Sequence, residues 1–204
     1  MGEALYFKVT ELVTFMPNAM RTLYQLAEAQ AGYFTTSQAA QVGVSRRVLS
    51  HRAQQGDLEQ VRYGLYRLHD FPTQPFEDVA AACLWVGMDS AASHETALAV
   101  HGISDAMPAS IHVTVPRAFR GSQLGVTVHH APLPDDQREV RGGVPVTTID
   151  RTLHDVAVSS DPSLVQQAVE QAITRGVLSR RQLRALVRKS PEIAPLVIDA
   201  LADE

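Results

Sequence analysis

Apolar side chains recur along residues 17–68 first at helical and then at extended spacing. Met20, Leu23, Tyr24, Leu26 and Ala27 repeat with a helical period. Pro17 suits the first turn of that helix, and Ala31-Gly32 ends it. Thr35 and Thr36 are N-cap types ahead of the helix-forming run Ser37–Gln41, and Gly43 follows as a left-handed terminator. Ser45 caps a further helix. Val44, Val48 and Leu49, at i, i+4 and i+5, are its expected apolar face. The opposite face carries Arg46, Arg47, Ser50 and Gln54, with His51 at its edge, and Gly56 closes the helix. Leu58–Arg62 and Leu65–Leu68 then alternate apolar and polar residues around Tyr63-Gly64, a hairpin signal. Two short helices, a tight turn and a hairpin predict a winged helix-turn-helix.

Beyond it, His69–Pro75 holds Pro72 and Pro75 and reads as a linker. Phe76–Trp85 predicts an apolar helix with Glu77 and Asp78 in its first turn. Ser93 is placed to cap a helix over His94–His101, ended by Gly102. Strands are predicted over Ile111–Val115, Gly125–His130 and Val144–Thr147. Helices follow over Asp150–Val158, Ser163–Arg175, Ser179–Lys189 and Glu192–Leu201. The fold class is mixed α/β (α+β). The expected domains are a winged helix over residues 1–72 and an α/β domain with a small sheet and helical C-terminus over 76–204. Met1–Met16 reads as a leader, arm or short strand.

Composition narrows the classes. The 204 residues are 45% hydrophobic and 20% charged, ordinary for a globular protein. No apolar run approaches the roughly 20 residues of a membrane span. The N-terminus has no basic start or long apolar stretch of a signal peptide. Cys83 is the single cysteine, which excludes an internal disulfide, and its apolar setting predicts a buried thiol. A cytoplasmic protein with no membrane partner is expected. The chain carries a net charge of −4, yet residues 44–68 hold five arginines against Asp57 and Glu59, a local +3. A basic patch on an acidic chain points to a local contact with nucleic acid.

The residue types suit that contact. Arg can pair bidentately with guanine O6 and N7, and Gln with adenine N6 and N7. Arginines on a wing suit phosphates or the minor groove. The candidate DNA-binding residues are Thr36, Ser45, Arg46, Arg47, Ser50, His51, Gln54, Arg62, Tyr63 and Arg67. Catalytic chemistry finds no support. His94-Glu95 with His101 lacks the i, i+4 spacing of a helical zinc site. His129 and His130 point to opposite faces of a strand, and His154 and Asp155 do not face each other on a helix. No nucleophile elbow or phosphate-binding loop is present. No metal, cofactor or catalytic residue is therefore expected. Arg175–Lys189 carries six basic residues and no acid, which fits a solvated helix face, a backbone contact or a surface for an acidic partner.

These residues carry a resemblance. The run GYFTTSQAAQVGVSRRVLSHRAQQGDLEQVRYGLYRL resembles the winged-helix domain of AbiEi-family antitoxins. SHETALAVHGI, IHVTVPR and GVPVTTIDRTLHDVA, in that order, resemble the family's following domain. The resemblance implies a bacterial type IV toxin–antitoxin system. It implies an autorepressor that binds inverted repeats in the double-stranded promoter DNA of its own operon. It also implies an antitoxin that counters a nucleotidyltransferase-type toxin without needing a stable complex, through the second domain. Relatives can continue into a restriction-type nuclease domain. Here the only lysines, Lys8 and Lys189, lie near the termini, away from any strand with paired carboxylates, which argues against such a centre. The alternative reading is a stand-alone winged-helix transcription factor whose second domain senses a ligand or dimerises.

Overall fold

The structure, a computed structural model, describes residues 18–105, 108–159 and 162–202. The expected Met1–Met16 leader and the Pro17 helix start lie outside the described residues. The chain divides into two compact units, Met1–Trp85 and Val86–Glu204.

In the first unit, α1 (Asn18–Glu28) precedes β1 (Tyr33–Thr35), α2 (Thr36–Gln41), α3 (Arg46–Gln55), β2 (Leu58–Arg62), β3 (Leu65–Leu68) and α4 (Glu77–Val86). The strands form an antiparallel sheet in the order β1-β3-β2. Local chemistry sets the boundaries. Thr35 caps α2: its hydroxyl accepts from the Gln38 amide at 3.2 Å, while Gln38 Oε1 accepts from the Thr35 amide at 2.8 Å. Gln38 is buried and also donates to Gln30 Oε1 at 2.7 Å, so α2 is tied to the end of α1. Gly32 has φ +87°, and a Cβ there would meet the Phe71 ring at 2.6 Å. The core gathers Met20, Leu23, Phe34, Leu49, Leu58, Tyr66 and Leu68. The 69–75 stretch belongs to this unit: the Phe71 carbonyl accepts from Arg67 at 3.0 Å, and the Gln74 amide donates to Glu77 at 3.3 Å.

The second unit holds β4 (Ala91–Ala92), α5 (His94–His101), β5 (Ile111–Val115), β6 (Val126–His130), β7 (Arg138–Arg141), β8 (Val144–Thr147), α6 (Ile149–Ser159), α7 (Pro162–Thr174), α8 (Arg180–Lys189) and α9 (Ile198–Ala202). Its sheet is mixed, in the order β6-β5-β4-β8-β7, with β5–β6 and β4–β8 parallel. Two strands escape the sequence pattern. β4 is too short to show a period. β7 is an edge strand of mostly polar residues whose one apolar side chain, Val140, is exposed. Gly142 and Gly143, at φ +55° and +81°, make the β7–β8 turn, as a two-residue hairpin requires. The helix expected over Glu192–Leu201 is instead a 3-10 stretch, Pro191–Leu196, followed by α9, because Pro195 lacks the amide a continuous helix needs. Leu98, Leu153, Val165, Val169, Leu183 and Ile193 make the helical core. Cys83, at the end of the first unit, is buried as expected.

Candidate nucleic-acid interface

α3 is held by little and shows much. Ser45 caps it, its hydroxyl accepting from the Val48 amide at 3.4 Å, and Gly56 ends it at φ +85°. Leu49 is its one buried residue. Arg46, Arg47, Ser50, His51 and Gln54 are exposed, as the pattern predicts. Arg47, Ser50, His51 and Gln54 fall at i, i+3, i+4 and i+7, so they form one stripe along the helix. With Val48 they line a shallow groove on the surface.

Val48 corrects the sequence reading. Helical spacing puts it with Val44 and Leu49 on the apolar face, yet it is 39% exposed. At 100° per residue it lies about 60° from His51 and about 40° from Arg52, between the exposed stripe and the inward side that Leu49 and Ala53 occupy. A methyl-bearing side chain at the edge of that stripe is a further candidate contact, since thymine presents a methyl group in the major groove.

The five arginines also divide. Arg52 Nη1 pairs with Asp57 at 2.7 Å. Arg67 turns inward: its Nη2 lies 3.0 Å from Glu77 Oε2 and donates to the Phe71 carbonyl, while its guanidinium stands 5.7 Å from the Tyr33 ring. The Arg67 side chain is only 11% exposed. Its placement among the wing contacts is therefore corrected, because the pairing partner ten residues on is invisible to strand alternation. The Arg62 guanidinium lies 5.4 Å from the centre of the Trp85 ring. Arg46 and Arg47 form no ion pair among the described residues and supply the cationic part of the α3 surface. At the wing tip Tyr63 is 84% exposed. Thr36 is the first residue of α2, where its amide donates to the Gly64 carbonyl at 2.8 Å and ties the turn to the helix. Ser45 is committed to its cap.

These features decide what the first unit resembles. Residues 21–69 match the family described as "Transcriptional regulator, AbiEi antitoxin". This segment is similar to the AbiEi antitoxin family. The AbiEi match runs from within α1 through β3 and so covers α3 and the wing. The family is one of antitoxin transcriptional regulators, not a class of enzymes. The crystal structure of the RV2827C protein from Mycobacterium tuberculosis aligns with a TM-score of 0.50 and 16% identity, over 90% of this chain and 77% of that one. That likeness is one of fold. No curated protein matches the chain. No helix among the described residues is long and apolar enough to cross a membrane.

Outside the AbiEi segment, the histidines sort differently from the sequence expectation. His101 does not join His94: its Nε2 donates to the Thr147 carbonyl at 2.7 Å, and its Nδ1 lies 3.9 Å from Glu139. Burial holds its pKa below the usual imidazole value. His130 lies 3.1 Å from the Arg117 carbonyl, on the face of β6 opposite His129. His154 pairs with Glu192 at 2.6 Å, and Asp155 with Arg151 at 2.8 Å, so those two sequence neighbours do face apart. His94 instead sits with His112 and His129. Burial, then the neighbouring imidazoles, push His94 down to about 4, and the same causes lower His129.

Proposed function

We propose that the chain represses its own bacterial type IV toxin–antitoxin operon by inserting α3 into the major groove of promoter DNA. The observation that carries this is the stripe Arg47, Ser50, His51 and Gln54, presented by a helix buried through Leu49 alone. The steps from Arg47 to Gln54, at about 1.5 Å rise each, span roughly 10 Å, or about three base pairs. Arg47 reads guanine and Gln54 adenine, Val48 packs on thymine methyls, and Arg46 and the wing tip at Tyr63 meet the backbone. Arg67 takes no part. A two-fold copy of the site would match inverted repeats.

In this reading the DNA-binding domain expected over residues 1–72 lies in the first unit, and the second unit, from Val86 on, counters a nucleotidyltransferase-type toxin without a stable complex. The AbiEi match over residues 21–69 supports the regulatory half. A two-part genetic test checks both halves. The full chain should repress a reporter driven by the promoter upstream of its gene, and the change of Arg47 and Gln54 to Ala should relieve it. The same double variant should still rescue growth beside the neighbouring toxin. Loss of rescue together with loss of repression would show that neutralisation acts through repression.

A further inference from the structure

Three histidines far apart in sequence converge in the second unit. His94 begins α5, His112 lies on β5 and His129 on β6. The parallel register pairs Thr114 with His129 and His112 with Thr127, so His112 and His129 share one face of the sheet. His94 closes over that face, its ring centre 3.7 Å from that of His129 and 5.7 Å from that of His112. His112 Nδ1 lies 3.0 Å from His129 Nε2. One ring nitrogen from each of the three lies within 4.8 Å of the others.

The surroundings are ordered as a ligand set requires. His112 Nε2 faces Glu95 Oε2 at 3.2 Å, which leaves its Nδ1 turned toward His129. His94 Nδ1 is 2.9 Å from Ser93 Oγ, which in turn accepts from Thr114 Oγ1 at 2.8 Å, and this leaves His94 Nε2. A carboxylate or hydroxyl on the outer nitrogen fixes the tautomer and ring angle of a metal-binding histidine. Ser93 gives its side chain to this task and makes no cap bond to α5. His94 holds φ +51°, a left-handed conformation that a non-glycine residue keeps where its surroundings enforce it. The Asp155 carboxylate acts electrostatically on His129, and its Oδ2 is buried without a hydrogen bond among the described residues. Glu95 is the carboxylate in direct contact with the cluster, while Asp155 is paired with Arg151 at 2.8 Å.

We propose that His94, His112 and His129 form a binding site for one divalent ion of the zinc class, with Glu95 and Ser93 as positioning residues. Three imidazoles suit Zn²⁺ or Co²⁺ rather than Mg²⁺ or Ca²⁺, which favour oxygen ligands. Three protein ligands leave a fourth tetrahedral position for water. The ion joins the start of α5 to the parallel pair β5–β6.

The test uses the untagged full chain, stripped with a chelator and titrated with Co²⁺ and then Zn²⁺. One Co²⁺ per chain should bind with the intense visible bands of four-coordinate cobalt, and Zn²⁺ should displace it. In the unmutated protein, imidazole nitrogen NMR signals of His94, His112 and His129 should move on Zn²⁺ addition, while those of His101, His130 and His154 stay. His112→Ala and His129→Ala should abolish the bands, His130→Ala should keep them, and Glu95→Gln should weaken binding by about 10–100-fold. Circular dichroism of each variant checks its fold. Failure to bind a stoichiometric ion, or NMR shifts at other histidines, overturns the proposal without relying on any variant.

Discussion

Arg67 lies on the wing by sequence but faces the protein by structure, and one substitution separates the two roles. Its side chain is 11% exposed and that of Glu77 25%, so the pair at 3.0 Å is largely shielded from water. Breaking a fully buried pair costs about 3–5 kcal/mol, and this one is less buried. Arg67→Ala also removes donors from the Phe71 and Leu68 carbonyls and leaves the Glu77 carboxylate without its counter-charge. A loss of about 2–3 kcal/mol is expected for the first unit. With a urea m-value of about 1–3 kcal/mol/M, its unfolding midpoint should fall by about 1 M with m unchanged. Glu77→Gln should reproduce part of that loss. The folded variant should bind promoter DNA with an unaltered slope of log K against log salt. An unchanged midpoint with a slope smaller by about 0.9 would make Arg67 a phosphate contact and refute the structural assignment.

Leu49→Ala should cost about 2–5 kcal/mol, because Leu49 is fully buried and is the one buried residue of α3; thermal unfolding measures it. Gly32→Ala should destabilise the first unit in urea melts, since φ +87° is strained for alanine and its Cβ would strike Phe71 at 2.6 Å. His101, facing the Thr147 carbonyl, Glu139 and Arg141, is held below the usual imidazole pKa by burial. The unfolded chain then binds the extra proton first, so His101 stabilises the fold above about pH 6.5 and that contribution is lost as pH falls toward its folded value. His101→Gln should flatten that part of the stability–pH curve, and an unaltered curve would show that His101 titrates as in the unfolded chain.

What was legible in the sequence was local. The caps at Thr35 and Ser45, the terminators Gly43 and Gly56 and the alternation around Tyr63-Gly64 each act within a few residues, so the two short helices, the hairpin and the exposed stripe could be read directly. The orientation of Val48 was not, because two valines at i and i+4 look like a core face unless the position of Leu49 is known. The inward turn of Arg67 depends on Glu77, ten residues on and past two prolines. β7 carries no alternation to read, since it is polar and lies at a sheet edge. The histidine cluster was hidden for the same reason: His94, His112 and His129 meet only through the parallel pairing of β5 and β6, which no spacing along the chain announces.

Base reading by α3 is tested most directly by fluorescence anisotropy against the promoter upstream of the gene and a scrambled duplex of equal length. The unmutated chain should bind the promoter at least about 10³-fold more tightly than the scrambled duplex. Arg47→Ala should lose roughly 1–3 kcal/mol on the promoter and much less on the scrambled duplex, with the difference traced to one or two base pairs by single-base changes. Equal weakening on both duplexes, or equal affinity of the unmutated chain for both, would contradict base reading by α3.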